Sequence, residues 1–241
     1  MSPRILFPRQ EATTIRQPHP TPVRRRRLVP ALFAALLGVL IGLPTTGPAA
    51  AQQVKAVQLS DAERTSVSRI EQYLNSLRSV ESRFLQVTST GEYAEGKLYI
   101  SRPGKLRIDY DPPVPVQIIS SGTWLVYFDK ELEQVSRVLM SSTPAAMLVS
   151  ENIELFSKDI LITGFEHEAQ TFRLSLARAD DPLEGRLTLV LSDRPIVLKK
   201  WEITDAQGVT TTVSLLDPRF DAELDDKLFE FKDPTIFKPR H

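Results

Sequence analysis

The sequence predicts a mainly β fold with some α: one large antiparallel sheet, curled into a barrel or half-barrel, with two helical segments packed on it. Three observations carry this. About eleven short stretches alternate apolar and polar residues with period two. Turn residues divide them at regular spacing, which argues for one large curled sheet. Only two stretches show helical spacing.

The chain has 241 residues, and its first part reads as a leader. A basic lead-in ends in Arg24-Arg25-Arg26-Arg27, an apolar run extends from Leu28 to Leu43, and Ala49-Ala50-Ala51 supplies small residues for cleavage. This order describes a secretory signal peptide over residues 1–51. The run is shorter than the ~20 residues that usually span a bilayer. A start at Val23 would give a leader of ordinary length, and the paired arginines also permit twin-arginine export. Residues 52–59 read as a linker, and 60–241 as a single domain.

The leader distorts the charge balance. The whole chain is formally neutral, but residues 1–51 carry seven arginines against one glutamate, leaving the remainder acidic at about −6. An acidic domain is poorly suited to nucleic acid. The chain contains no cysteine, so an exported domain must rely on its core without disulfides and has no cysteine to carry a lipid anchor.

Ser60-x-x-Glu63 has the form of a capping box, and Val67, Ile70, Leu74 and Leu77 make one apolar stripe, predicting a helix packed on the sheet. Alternation begins at Val80 with VESRFLQVTS, and a turn is expected over Gly91 to Glu95. Next comes the clearest hairpin, Gly96 to Tyr110, divided by Pro103-Gly104. Its expected register opposes Arg102 to Leu106, Ile100 to Ile108 and Leu98 to Tyr110, with Pro103, Gly104 and Lys105 at the tip. The apolar side chains then share one face, with Arg102 among them.

Asp111 to Pro115 (DPPVP) cannot be an interior strand, because proline lacks the ladder donor. VQIISS, TWLVYFD and EQVSRV follow as strands. Thr143-Pro144 reads as a cap and first-turn proline before a short apolar helix, Ala145 to Val149, whose Met147, Leu148 and Val149 need cover. DILITGFEH, TFRLSLAR, GRLTLVLSD, IVLKKWEIT and VTTTVSLL complete the sheet, and Asp226 to Phe229 is a single helical turn.

Familiar catalytic constellations are missing from this pattern. His19 lies in the leader and His241 is the last residue, which leaves His167 alone within the domain. Neither an ordinary zinc site nor a Cys–His pair can be assembled, and no nucleophile elbow, Walker loop or dinucleotide fingerprint is present. Asp109 and Asp111 are a carboxylate pair on a wet face and in a proline loop, where solvated roles are favoured over hydrolysis. No enzymatic activity and no cofactor are expected. A curled sheet with an apolar inner face and covering helices can instead enclose a lipid-sized cavity, or the helices can simply complete a core.

The ordered fragments Phe84-x-Gln86, Gly96-x-Leu98, Arg102-Pro103-Gly104-Lys105-Leu106-Arg107, Tyr110 and Pro113 resemble the periplasmic outer-membrane lipoprotein carrier family, LolA. Ser121-Gly122, Glu133-Gln134, Thr143-Pro144, Leu148, Phe229-x-Phe231 and Pro234 extend the resemblance over nearly the whole domain. It implies an unclosed β-barrel covered by a lid of short helices, a periplasmic location and a monomer. The implied cargo is the acyl chains of lipoproteins, received from an ATP-driven exporter in the inner membrane and passed to an outer-membrane acceptor. Arg102 matches the family arginine that closes the lid through hydrogen bonds to helix backbone. The lipid-binding face expected here comprises Leu98, Ile100, Leu106, Ile108, Tyr110, Trp124, Val126, Phe128 and Met147. Leu106 stands where the family has an aromatic, and Val126 beside Trp124 replaces the family's Trp in the L-W-x-Y strand. A carrier of free lipid or glycolipid, or an envelope-stress regulator on the same fold, are the alternative readings.

Overall fold

A computed structural model describes residues 54–234. The expected leader, the first two linker residues and the last seven residues lie outside the described part. Helix α1 (Asp61–Ser76) begins as its sequence requires: Ser60 accepts from the Glu63 backbone, Glu63 reaches back to Ser60, and Val67, Ile70 and Leu74 are buried. No helix among the described residues is long and apolar enough to cross a membrane.

Eleven strands form one antiparallel sheet: β1 (Ser79–Thr88), β2 (Tyr93–Ser101), β3 (Lys105–Tyr110), β4 (Val116–Ser121), β5 (Trp124–Asp129) and β6 (Gln134–Leu139), then β7 (Ile160–Glu168), β8 (Thr171–Arg178), β9 (Gly185–Ser192), β10 (Val197–Asp205) and β11 (Thr210–Phe220). Their order is β6-β5-β4-β3-β2-β1-β11-β10-β9-β8-β7. The first and last strands therefore pair at the centre, while β6 and β7, neighbours in the chain, form opposite edges. Residues 140–159 must travel from one edge to the other. They carry a 3-10 turn (Met140–Ser142) and helix α2 (Ala146–Val149) across the open side of the sheet. The barrel is unclosed, and its connection serves as its cover.

Several boundaries differ from expectation. β2 begins at Tyr93, inside the expected turn. β11 continues past Leu216 to Phe220, because a bulge opposite Glu81 and Arg83 absorbs Asp217 at φ +50°. Thr143 does not cap α2; its hydroxyl donates to the Met140 carbonyl, and Ala145 occupies the cap position.

The central hairpin is paired two residues away from the expected register. Leu98 faces Ile108, Ile100 faces Leu106 and Ser101 faces Lys105. Arg102 is in the loop, not opposite Leu106. The reason is Gly104: at φ +75° it takes the last place of an Arg102-Pro103-Gly104 loop, where a three-residue hairpin needs a left-handed residue. A shift of two residues leaves every side chain on its expected face. On that face Gly96 lies between Phe84 and Tyr110, whose rings meet edge-on at 5.4 Å. A Cβ at Gly96 would stand 2.2 Å from the Asp109 carbonyl oxygen, so no larger residue fits.

Candidate functional site

The hairpin loop meets both helices at the open side of the sheet. Arg102 Nε donates to the Leu148 carbonyl at 3.0 Å, and its guanidinium also donates to the Leu74 carbonyl at 2.5 Å. The Gly104 backbone N–H donates to the Val149 carbonyl at 2.8 Å. These acceptors belong to the last turn of α1 and the end of α2, where carbonyls lack intrahelical partners. Arg102 forms no ion pair among the described residues. Burial pushes its pKa down, but arginine starts so far above neutrality that it stays charged with neutral carbonyls as partners.

The helices are fastened differently. α1 is tied to the far half of the sheet: Tyr73 accepts from the Leu198 N–H at 3.0 Å, and Arg69 pairs with the buried Asp193 at 3.0 Å. The Asn75 carboxamide exchanges two 2.8 Å hydrogen bonds with Ile153, and Glu71 accepts from the Leu155 N–H, so the segment after α2 is strapped to α1. α2 itself is secured by the hairpin loop and its apolar contacts.

Beneath α2 lies an apolar cavity of about 50 Å³, walled by β3, β4 and β5 on one side and β10 and β11 on the other. Leu106, Ile108 and Tyr110 line it. Ala145, Leu148 and Val149 roof it, and Gln86 and Thr211 are its polar lining residues apart from the Tyr110 hydroxyl. That hydroxyl donates to Gln86 Oε1 at 2.8 Å, and burial pushes its pKa well up. A larger opening of about 250 Å³ lies between α1, the strap and β8–β9, bordered by Met147. A third space of about 20 Å³ touches Ile100 and Arg102. Leu148 borders all three.

Leu98 is fully buried in the surrounding core. Trp124, Val126 and Phe128 require correction. In β5 it is Leu125 that lines the cavity, and alternation turns Trp124, Val126 and Phe128 to the opposite face. There Trp124 is 50% exposed opposite Leu139, and Phe128 meets Phe231 at 5.7 Å. Within WLVYF every second residue is apolar in either phase, so periodicity alone could not choose. Trp201, Ile203 and Val213 line the cavity and were missed; their W-x-I and V alternation marks buried strand faces without marking a void.

Comparisons with known proteins point to one family. The family model described as outer membrane lipoprotein carrier protein LolA matches residues 75–232. An outer-membrane lipoprotein carrier protein of Methylococcus capsulatus is 32% identical over 185 residues, covering 73% of this chain and 88% of that protein. An uncharacterized protein of Rickettsia prowazekii is 28% identical over 178 residues, covering 72% and 79%. Among solved structures, a LolA superfamily protein of Nitrosomonas europaea overlaps loosely, with 12% identity, TM-score 0.40 and coverage of 68% and 97%. With a family model spanning most of the described residues and a relative above 30% identity, the chain belongs to the outer membrane lipoprotein carrier family, LolA.

Proposed function

We propose that this protein is a periplasmic carrier that shelters the acyl chains of lipoproteins between α2 and the concave face of the sheet. In this reading it receives them from an ATP-driven exporter in the inner membrane and delivers them to an acceptor or to the outer membrane. The observation that carries the reading is the cover: an apolar concavity roofed by a helix that a half-buried arginine holds through carbonyl oxygens. The relatives' names supply the cargo class.

The cavity volumes support a mechanism in which the cover moves. A space of about 50 Å³ is far below the ~300–1,000 Å³ of ordinary ligand pockets. Displacing α2 would withdraw Leu148 and join the three spaces it now separates, so the described form is read as the closed one. Arg102 then acts as the latch. Its bonds to Leu74 and Leu148 are made in the closed form and lost when cargo enters, so they subtract from cargo affinity. That subtraction is useful: each buried CH₂ contributes about 0.8 kcal/mol, and one sixteen-carbon chain about 12 kcal/mol. Affinity of that size, multiplied over several chains, would prevent release. Extraction from the membrane is driven by the exporter, and closing bonds help to return the cargo.

Mass spectrometry of what co-purifies with the protein from the periplasm tests the proposal. Acylated protein is the expected companion. Free lipid alone would redirect the reading to a lipid or glycolipid carrier, and a non-acylated protein partner to a regulator.

A further inference from the structure

The cavity floor contains a polar group that its apolar surroundings do not explain. Thr211 is 5% exposed, borders the cavity, and its hydroxyl has no hydrogen-bond partner among the described residues. Leaving a buried hydroxyl unpaired is costly, and valine would fill the same volume without that cost. Its cross-strand neighbours do not help: Ile203 is apolar, and the Thr88 hydroxyl is already engaged with Thr90 and the Glu92 backbone. Beside it on β1, Gln86 accepts from Tyr110 through Oε1, and its amide group is a second donor at the cavity. Two hydrogen-bond donors thus border one apolar cavity, and no cationic side chain lines it. Such a site suits a neutral oxygen acceptor and is unsuited to a phosphate.

We propose that Thr211, assisted by Gln86, binds an ester carbonyl of the acyl-glycerol part of the cargo and so distinguishes acyl esters from plain alkyl chains. This rests on the carrier reading and adds a chemical preference to it. The hydroxyl belongs to the sheet and not to the cover, so it remains in place when α2 moves. It also orients the cargo. Tyr110, which bonds Gln86, lies four residues along β3 from Leu106, or about 13 Å, on the side away from the Arg102 loop. The ester end would rest there, with the chains directed towards Arg102 and the spaces bordered by Leu148.

The test is displacement of a fluorescent apolar probe from the exported protein by two glycerol lipids of equal chain length, one diester and one diether. The wild type is expected to bind the diester about fivefold more tightly, the value of one net hydrogen bond. Thr211→Val should bring the ratio close to one, and Thr211→Ser should keep it. A wild-type ratio near one would overturn the inference, whether water or nothing satisfies the hydroxyl, and needs no variant to fold. A Thr211→Val protein that keeps the fivefold preference would overturn it equally. If neither lipid displaces the probe, the carrier reading itself fails, which separates the two results.

Discussion

Strands β3, β4 and β5 are covered on both faces, and the two covers are held in different ways. On the concave side α2 is secured at its end by Arg102 and Gly104 through carbonyl oxygens, with unfilled space beneath. On the convex side the chain after β11 returns across the same strands, and a 3-10 turn (Asp226–Phe229) seats Phe229 at 2% exposure. Arg107 donates to the Leu228 carbonyl, Lys105 pairs with Asp226, Arg137 pairs with Asp233, and Phe128 meets Phe231. Many side-chain ties distributed along a strap make a permanent cover. A few bonds at a helix end, all to groups that water can satisfy equally well, suit the movable cover that the proposed carrier requires.

The largest expected effects separate the faces outright. Ile108→Glu places a carboxylate in the concave cavity, and affinity for an apolar probe should fall at least a hundredfold while the protein stays folded. Phe229→Ala on the convex side should do the reverse, costing about 3–5 kcal/mol of stability in denaturant titration with probe affinity retained. Unchanged probe binding by a folded Ile108→Glu variant would make the concave face ordinary core.

Arg102→Leu should weaken only the removable cover. Leucine suits the apolar surroundings, and removing a half-buried charge along with its need for partners can be neutral for stability. Charge-assisted hydrogen bonds contribute roughly 1.5–3 kcal/mol each, so losing two favours the open form by about a hundredfold or more. The Gly104–Val149 bond remains and limits the effect. The variant should accept lipoprotein but release it to acceptor membranes at least about tenfold more slowly. Arg102→Lys should recover only part of the rate, since an ammonium cannot reach both carbonyls with the geometry of the planar fork. Wild-type release from Arg102→Leu would reduce Arg102 to a loop charge.

Much of this architecture was legible because it is local. The Ser60–Glu63 box, the α1 stripe and the strand alternation are written within a few residues and survive in the structure. The hairpin register depended on one backbone angle at Gly104, and its error was harmless to face assignment because it was an even number of residues. Strand order was not legible, since alternation does not say which strands pair at a distance. Nothing local announces that β1 joins β11 or that β6 and β7 are opposite edges. The convex strap has the same origin: Phe128 reads as cavity lining until a C-terminal segment is known to cover its face. Thr211 was invisible for a simpler reason, because an unpaired hydroxyl can be recognised only when its neighbours are placed.

The smallest effect concerns pH and should appear on the convex face alone. Asp109 accepts from Arg107 Nε and from Gln117 Nε2, both at 2.6 Å, and so steadies the guanidinium that holds Leu228. Partial burial works against its charge, but Arg107, Gln117 and Lys130 together outweigh it and hold its carboxyl below the ordinary value of 3.8. A carboxyl with a depressed folded-state pKa contributes stability that is present in full above its unfolded value and lost as pH falls through the folded one. Asp109→Asn should therefore cost about 1 kcal/mol near neutrality, and its difference from the wild type should shrink below about pH 4. On the concave face Arg102 meets only carbonyls, which do not titrate, so probe affinity should stay level over the same range as long as the protein remains folded. Thermal melts of both proteins, with probe titrations at each pH, make the measurement. A stability gap that persists unchanged at low pH would show that the Asp109 carboxylate acts through shape and hydrogen bonding, and that charge does not distinguish the two covers there.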